Sequence, residues 1–539
     1  MPSQFFGVLP QSRNTKAHRV YCPANEHTRD SIGCSTYFWS FRHFAPCVLA
    51  REYVPQVATV LVGPGFVHPL RIAEVGQAAY HRPVSQILTA TNPAEALSPG
   101  AKDLWFVPLG GCGEIGINLN VYGHDGQWLI VDCGIGFDRT PGSEAVIAPD
   151  PDFISSRRGA LVGMVITHAH EDHVGAVPFL WPELQCPVYC TPFTAAVLRR
   201  KLAEVGLLDV VPLHVIEPAA SHSLGPFDLR WIGVTHSTPE AQCLLLETPV
   251  GRVLHTGDWK WDADPQVGPP YEESSFRQLA ELDIDALVCD STCATVEGRS
   301  PSEGELLPGI RDVIRRAKGR VVATCFGSNI ARLQTLARAA VDDGRYVSLF
   351  GRSLLNNYRA ALQAGYWDPA LTFIDPAHVG YLPPDEVMVI ATGSQGDARA
   401  ALTRLAMGAH PQMELAAGDT VLFSSREIPG NELAIERVRN ALLAREVCVV
   451  EQEVGGPLIH TSGHPARDEL RDMYQWVKPK AAVPVHGEPH HLSAHAELAA
   501  GTGVTSQLLG RNGDLFLLAP VIGLRRGVVS VGRRTIRDS

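Results

Sequence analysis

The sequence lacks the features of a membrane or secreted protein. No apolar run reaches the roughly 18 uninterrupted residues that a membrane-spanning helix needs. The amino terminus, MPSQFFGVLPQSRNTKAHRV, lacks the basic region and the following apolar region of a secretory signal. Internal repeats and low-complexity tracts are absent as well. We therefore expect a cytoplasmic protein that has no membrane partner.

Close cysteine pairs and basic surface are also scarce. The twelve cysteines are scattered, and the two close pairs, CPVYC and CDSTC, lack zinc-ribbon spacing, which indicates reduced and mostly buried thiols. The formal net charge of −11 argues against a protein that grips nucleic acid by basic surface alone. Local cations would have to hold a polyanionic substrate, and bound metal ions are not part of that charge.

The composition is that of a folded protein, with 45% apolar and 19% charged residues in a chain of 539. Residues 1–102 show no sustained period of about 2 or 3.6, which predicts an amino-terminal extension of little order. From Lys102 onward, short apolar runs such as WLIVDCG and LVGMVITH predict buried strands. In the middle, strand-like VVATCF and helix-like GSNIARLQTLARAAVDDG begin an alternation typical of a doubly wound parallel α/β sheet.

Histidines and aspartates recur at the carboxyl ends of the predicted strands. Ligand sites in layered α/β proteins form there, because loops from separate strands converge at one edge. We expect six such residues to meet, namely Asp132, His168, His236, Asp258, Asp290 and His486.

The stretch THAHEDHVG, residues 167–175, carries three histidines and two carboxylates. In a loop that leaves a strand and enters a helix, His168 and His170 can hold one ion while Asp172 and His173 face a second. Imidazole and carboxylate ligands without nearby thiolates suit catalytic zinc or manganese better than a sealed structural zinc site. A lone histidine would usually be a surface or core residue, but this crowding favours metal ligands.

The pattern HxHxDH resembles the signature of the metallo-β-lactamase superfamily. GGCGEIGINLNVY, HTGDWKWD, VCDST, ATGSQGD, IPGNE, HTSGH and PVHGEPHHLSAHAELA further resemble its β-CASP branch, specifically the ribonuclease J family, over about residues 103–515. The resemblance implies a four-layer αβ/βα metallo-β-lactamase domain in two parts, residues 103–303 and 459–539. An inserted β-CASP domain would occupy residues 304–458. The second part would end in a short basic tail.

The resemblance also implies roles for the chemical residues. His168, His170 and His236 would hold a first divalent ion, zinc or manganese, and Asp172, His173 and His486 a second, with Asp258 bridging them. Asp132 would orient a ligating histidine, since metal-bound imidazoles usually need such a partner. Asp290 would lie beside the metal centre, and His464 would protonate the leaving oxygen, which a histidine titrating near neutral pH can do.

Several residues are predicted to contact substrate. Backbone N–H groups and hydroxyls can cradle a phosphate without net positive charge. Gly327, Ser328 and Asn329 form one such group, and His460, Thr461, Ser462, Gly463 and His464 form the other. The GSN stretch is also typical of a helix N-cap, and Ser291 could bind phosphate or cap a helix; both alternatives stay open.

These inferences predict a two-metal ribonuclease that acts as a 5′-to-3′ exonuclease and an endonuclease in the maturation and decay of messenger and ribosomal RNA. Two divalent ions can activate a water and clamp a phosphate. The alternatives are a hydrolase of small esters or lactones and a catalytically silent RNA-binding subunit. The inserted domain and His464 argue against the first, and the complete ligand set argues against the second. The resemblance leaves a homodimer or higher homo-oligomer open. The family usually continues into a further small carboxyl-terminal domain, whereas this sequence stops soon after NGDLFLLAP.

Overall fold

The computed structural model describes residues 97–138, 140, 145–428 and 430–536. The predicted amino-terminal extension lies outside these residues up to position 96. The part of the chain before the predicted insertion is rich in strands, most of which follow one another without a helix between them. Its strands are β1 (Leu104–Gly110), β2 (Leu119–His124), β3 (Gln127–Val131), β4 (Gly136–Phe137), β5 (Val146–Pro149), β6 (Leu161–Val165), β7 (Val188–Cys190), β8 (Leu213–Val215), β9 (Ser221–Leu224), β10 (Phe227–Gly233), β11 (Gln242–Thr248), β12 (Gly251–His255) and β13 (Ala286–Asp290). Its helices are α1 (Asp152–Ser155), α2 (Glu171–Val174), α3 (Val177–Leu184), α4 (Pro192–Glu204) and α5 (Glu273–Arg277).

The middle of the chain forms a separate parallel sheet. Its strands are β14 (Val321–Thr324), β15 (Tyr346–Phe350), β16 (Val387–Ala391), β17 (Thr420–Phe423) and β18 (Cys448–Val450). Its helices are α6 (Leu306–Arg316), α7 (Ile330–Asp342), α8 (Arg352–Gln363), α9 (Ala401–Ala406) and α10 (Glu432–Leu443). The strands run in the order β15-β16-β14-β17-β18, and every neighbouring pair is parallel. Helices α6 to α8 pack on one face and α9 and α10 on the other, which confirms the predicted doubly wound sheet.

The chain then returns to the first fold. Its last elements are α11 (Arg467–Val477), β19 (Ala481–Val485), α12 (Pro489–Gly501), β20 (Ser506–Gln507), β21 (Leu515–Ala519), β22 (Gly523–Arg525) and β23 (Arg533–Ile536). Two mixed sheets result, with the orders β22-β21-β1-β2-β3-β6-β7-β8 and β20-β19-β13-β12-β11-β10-β9. Strands from the return segment thus complete both sheets.

Alternation of side chains along the strands builds four layers. Because successive strand residues point to opposite faces, Phe106 and Tyr122 pack against the second sheet, near Trp231. Val107 and Val121 point the other way, into a core with α3 and α4. The outer face of the second sheet packs on α11 and α12. This αβ/βα arrangement is the predicted one.

Part of the basic carboxyl-terminal segment forms a strand. Residues 533–536 form β23 and pair antiparallel with β5, extending a small sheet that includes β4. Arg533 contacts Glu114. The guanidinium of Arg534 lies 3.0 Å from Asp150 and 2.5 Å from Glu183. Arg533 and Arg534 therefore hold this segment to the first part of the chain, which no local pattern in the tail indicates.

Candidate metal centre

Six histidines and aspartates meet at the strand ends, as predicted. The carboxyl ends of β12, β13 and β19 lie at one edge because these strands pair in parallel. Loops from the first sheet reach the same edge. The residues are Asp132 directly after β3, His168 after β6, His236 after β10, Asp258 after β12, Asp290 at the end of β13 and His486 directly after β19.

The THAHEDHVG stretch makes the expected passage from strand to helix. His170 precedes α2, so Asp172 and His173 fall in its first turn. The chain approaches this helix very closely at Gly134, where a Cβ atom would lie 1.6 Å from the Asp172 carbonyl oxygen. Only glycine fits there. The neighbouring Cys133 N–H donates to the His173 carbonyl at 2.7 Å, which ties the loop after β3 to the helix.

Two groups of side chains can each hold a divalent ion. The ligand atoms of each group lie within 4.8 Å of one another. One group is His168, His170, His236 and Asp258, and the other is Asp172, His173, Asp258 and His486. Asp258 belongs to both, which is the position of a bridging carboxylate. A third grouping, Asp258, Asp290, His464 and His486, reuses two of these residues.

The residues fit divalent ions on a second ground. Among the residues that the structure describes, the Nε2 atom of His168 and the Oδ1 atom of Asp258 are buried without any hydrogen-bond partner. Leaving a buried polar atom unpaired costs about 1–3 kcal/mol, so such atoms normally have a partner. Both atoms belong to proposed ligands, and a cation would be the partner that they lack.

Further side chains orient the ligands. Asp132 is fully buried, and its Oδ2 atom lies 2.7 Å from His173 Nδ1, so Nε2 of that ring is left to face Asp258. Asn118, which the sequence did not single out, places its Nδ2 atom 3.0 Å from the Asp172 carbonyl oxygen and 3.1 Å from His173 Nε2. Asn118 lies in the GGCGEIGINLNVY motif, and that was the only signal available.

Charges in the site favour metal binding. Burial is the main reason that the pKa of His168, His170 and His236 is lowered, to about 4 for His170, and neutral imidazole is the form that ligates. Burial also acts on His486, but Asp258 and hydrogen bonds to Asp172 and Asp290 outweigh it and raise its pKa to about 10. The carboxylates thus draw positive charge into the site, from protons or from cations.

His464 lies beside the metal ligands. Its Nδ1 atom is 2.7 Å from Asp290 Oδ2, and its side chain is 20% exposed. A substrate can therefore reach the ring while the carboxylate holds it. Burial opposes protonation of His464, but the neighbouring Asp290 and Asp258 carboxylates raise its pKa. Next to it, the Gly463 carbonyl oxygen lies 2.6 Å from Nδ1 of His236, which joins this loop directly to a proposed ligand.

The residues predicted to contact substrate differ in their exposure and in their hydrogen-bond partners. Asn329 caps α7 by accepting the Arg332 N–H at 2.8 Å, so the helix-cap interpretation holds for its side chain. Gly327 and Ser328 lie partly exposed just before this helix. Thr461 is buried and donates to the Pro301 carbonyl oxygen at 2.7 Å. The Ser462 hydroxyl contacts the Cys293 thiol at 3.3 Å.

Ser291 departs from both sequence interpretations. It is fully buried, precedes no helix, and its hydroxyl lies 2.8 Å from Nδ1 of His495. The other nitrogen of that ring is 2.8 Å from the Tyr474 hydroxyl. The Ser291 side chain is thus one end of a buried chain that supports the turn after β13, and its burial leaves no room for direct contact with a phosphate.

Comparison with known proteins agrees with this architecture. Three family models match the chain: "Metallo-beta-lactamase superfamily" at residues 112–291, "Ribonuclease J, beta-CASP domain" at 318–442 and "Zn-dependent metallo-hydrolase RNA specificity domain" at 457–508. A ribonuclease J from Sinorhizobium meliloti is 45% identical over 425 residues, which is 78% of this chain and 75% of that protein. The chain belongs to the ribonuclease J family.

Other members of the ribonuclease J family are similar over comparable lengths. The Mycobacterium tuberculosis ribonuclease J is 39% identical over 435 residues, 79% of this chain and 76% of that protein. The Helicobacter pylori protein is 33% identical over 537 residues, 97% of this chain and 75% of that protein. A solved Enterococcus faecalis structure of unknown function shares the fold, with a TM-score of 0.54, 14% identity, and coverage of 77% of this chain and 100% of that one.

Membership in the ribonuclease J family makes the chain a metal-dependent hydrolase that cleaves RNA, and it confirms the predicted enzyme class and fold. The alternatives of a small-ester hydrolase and a silent RNA-binding subunit are not favoured. The family binds divalent metal ions, and RNA is the partner. Among the residues that the structure describes, no helix has the length and apolar character needed to cross a membrane.

Proposed function

We propose that the chain is a 5′-to-3′ exonuclease and an endonuclease that matures and degrades messenger and ribosomal RNA. The observation that carries this proposal is the position of His464. Its ring contacts Asp290 at 2.7 Å, beside the two groups of metal ligands. A histidine there can serve the leaving oxygen of a phosphodiester. The inserted domain ends in the same loop, so a polymer bound by that domain would pass this residue.

His168, His170 and His236 would hold one ion and Asp172, His173 and His486 the other, with Asp258 shared. Bound there, two divalent ions would supply an activated water and charge neutralisation at the phosphate. Zinc is the proposed ion and manganese the alternative, because imidazole and carboxylate ligands without thiolates accept both. Asp132 would keep the His173 ring turned so that Nε2 faces the site.

His464 would give a proton to the departing ribose oxygen. Asp290 holds the Nδ1 side of the ring at 2.7 Å, which leaves Nε2 as the nitrogen able to donate. Asp290 is itself fixed, because its Oδ1 atom accepts the Thr292 N–H at 2.8 Å. Asp290 thus acts by orienting the acid, and His464 by donating the proton.

The exonuclease activity would depend on a pocket for the terminal phosphate. Gly327 and Ser328 precede the N-terminus of α7, where the positive end of the helix dipole favours an anion. The stretch 460–463 lies near that helix, since Nδ1 of His460 is 3.1 Å from an Arg332 nitrogen on α7.

We assign the β-CASP insertion to about residues 304–458, with residues 103–303 and 459–539 forming the metallo-β-lactamase domain. A homo-oligomeric assembly is part of the proposal.

The test uses transcripts labelled at the 5′ end or at the 3′ end, each with a 5′-monophosphate or a 5′-triphosphate. An exonuclease releases labelled mononucleotide from the 5′ end, whereas an endonuclease shortens both labelled sets to discrete lengths. We expect faster trimming of the monophosphate RNA. Equal rates on the two RNAs would remove the phosphate pocket, and absence of label release from the 5′ end would remove the exonuclease.

A further inference from the structure

Arg332, on α7 of the inserted domain, is the centre of a buried polar network outside the metal centre. Its side chain is 1% exposed and that of its partner Glu303 is 2% exposed. The guanidinium meets this carboxylate with two hydrogen bonds, Nε to Oε2 at 3.0 Å and Nη2 to Oε1 at 2.8 Å. A buried ion pair is tolerable only if its remaining polar atoms are also satisfied, so its other partners show what the pair holds.

With Glu303 included, the partners of Arg332 come from three separate segments. Nη1 of Arg332 donates to the Ser424 carbonyl oxygen at 2.7 Å and to its hydroxyl at 2.9 Å. Nη2 donates to the Thr461 carbonyl oxygen at 3.2 Å. Glu303 lies where the chain enters the insertion, and Thr461 lies where it leaves. Arg332 of the inserted domain therefore contacts both chain segments that join the two domains.

Arg332 also fixes a predicted substrate residue. Its Nη1 atom lies 3.1 Å from Nδ1 of His460. A guanidinium has only donors, so this nitrogen must accept, and the ring proton then resides on Nε2. Burial and then the charge of Arg332 lower the pKa of His460 to about 3, which keeps the ring neutral. Arg332 thus determines both the orientation and the tautomer of this histidine.

The segment that leaves the inserted domain, residues 460–464, leads from Arg332 directly to the reacting groups. Thr461 donates to the Pro301 carbonyl oxygen at 2.7 Å, and the Ser300 hydroxyl donates to the His464 carbonyl oxygen at 2.6 Å. The far end of the segment is bound to Asp290 through His464. Residues 460–464 are therefore held by Arg332 at one end and by the metal centre at the other. A change in the contacts of Arg332 would shift the backbone of this segment and, with it, the His464 ring.

We propose that Arg332, braced by Glu303, is a positioning residue that sets residues 460–464 against the metal centre for RNA cleavage. The inference rests on the proposed function of His464. Arg332 does not touch the reacting atoms, so its loss acts through a small misplacement of this segment. Misplacement of about 1 Å lowers a rate by up to about 100-fold when a reacting group must be aligned.

The test separates positioning from folding with a double variant. Arg332→Met alone leaves the Glu303 carboxylate buried without its cation and is expected to lower the thermal midpoint. Arg332→Met with Glu303→Leu removes both charges at similar volume, which commonly restores stability. Arg332→Lys keeps the charge but cannot reach Ser424, His460 and Thr461 together, because an ammonium lacks the planar fork. Each variant is assayed on 5′-monophosphate RNA and on bis(p-nitrophenyl) phosphate.

The small ester reports on the metal centre without the acid, because p-nitrophenolate leaves without a proton and so needs none from His464. In the double variant and in Arg332→Lys, we expect kcat on RNA to fall about 10- to 100-fold, with turnover of the small ester within about threefold of wild type. Wild-type kcat on RNA in either stably folded variant would overturn the inference. A parallel loss on both substrates would also overturn it. A wild-type protein that hydrolyses the ester but not RNA would instead refute the proposed function, and this inference with it.

Discussion

Asp132→Asn should weaken metal binding while leaving the fold nearly unchanged. The Asp132 carboxylate accepts the Thr167 N–H at 2.7 Å and the Thr167 hydroxyl at 2.9 Å, and it lies 2.7 Å from His173 Nδ1. An asparagine can keep its oxygen on the Thr167 N–H. Its NH2 group then faces His173 Nδ1 and can donate only to an unprotonated nitrogen, which moves the ring proton to Nε2.

The expected loss of metal affinity follows from the His173 ring nitrogen that can no longer bind the ion. His173 Nε2 is the atom that faces Asp258, at 3.2 Å, and a protonated Nε2 cannot ligate. Removing such an orienting partner typically costs about 10- to 100-fold in metal affinity. A factor of ten corresponds to about 1.4 kcal/mol, so we expect a loss of about 1.4–2.7 kcal/mol. This agrees with the roughly 1.5–3 kcal/mol of a hydrogen bond to a charged group.

The assay titrates metal-depleted protein with zinc against a chromophoric chelator and then measures RNA cleavage at saturating zinc. The matched control is Asp419→Asn, because Asp419 is also buried and accepts two backbone N–H groups, from Arg320 at 2.8 Å and Ala416 at 2.9 Å. That carboxylate lies at the start of β17, outside the ligand groups. Unchanged zinc affinity in Asp132→Asn, or the same loss in the control, would refute the reasoning.

Three further predictions follow from the same site. His170→Ala or Asp172→Ala should abolish RNA cleavage, because each removes a ligand from one ion group; a wild-type rate with metal content controlled would refute the assignment. Chelation of divalent ions should stop cleavage and lower the thermal midpoint in calorimetry, because a ligand that binds only the folded state stabilises it, and zinc or manganese should restore both. An unchanged midpoint would contradict metal binding at the buried unpaired atoms. Gly463→Ala should lower kcat on RNA by about tenfold or more, because its Cβ would lie 2.8 Å from His236 Cε1 and 3.1 Å from the Ser237 hydroxyl. Gly456→Ala, whose Cβ meets nothing closer than 3.3 Å, is the control, and equal activity of the two variants would sink this prediction.

The ligand set could be predicted because its signal is local. THAHEDHVG carries four of the ligands within six positions, His168 to His173, and the others follow apolar runs that are recognisable as strands. Parallel pairing of such strands brings their carboxyl ends to one edge, so the convergence of Asp258 and His486 needed no knowledge of the loops. The change to a doubly wound sheet was visible for the same reason, since strand and helix periods differ.

The sequence by itself therefore determined the fold class, the metal-binding chemistry and the family, because residue type and short-range spacing specify them. Tertiary structure alone decided which contacts hold the supporting groups in place. Asp290 and His464 are 174 positions apart, Ser291 and His495 are 204 apart, and Arg332 and Thr461 are 129 apart. Contacts over such separations depend on how the layers pack, and a buried hydrogen bond leaves no periodic trace in either of the segments that it joins.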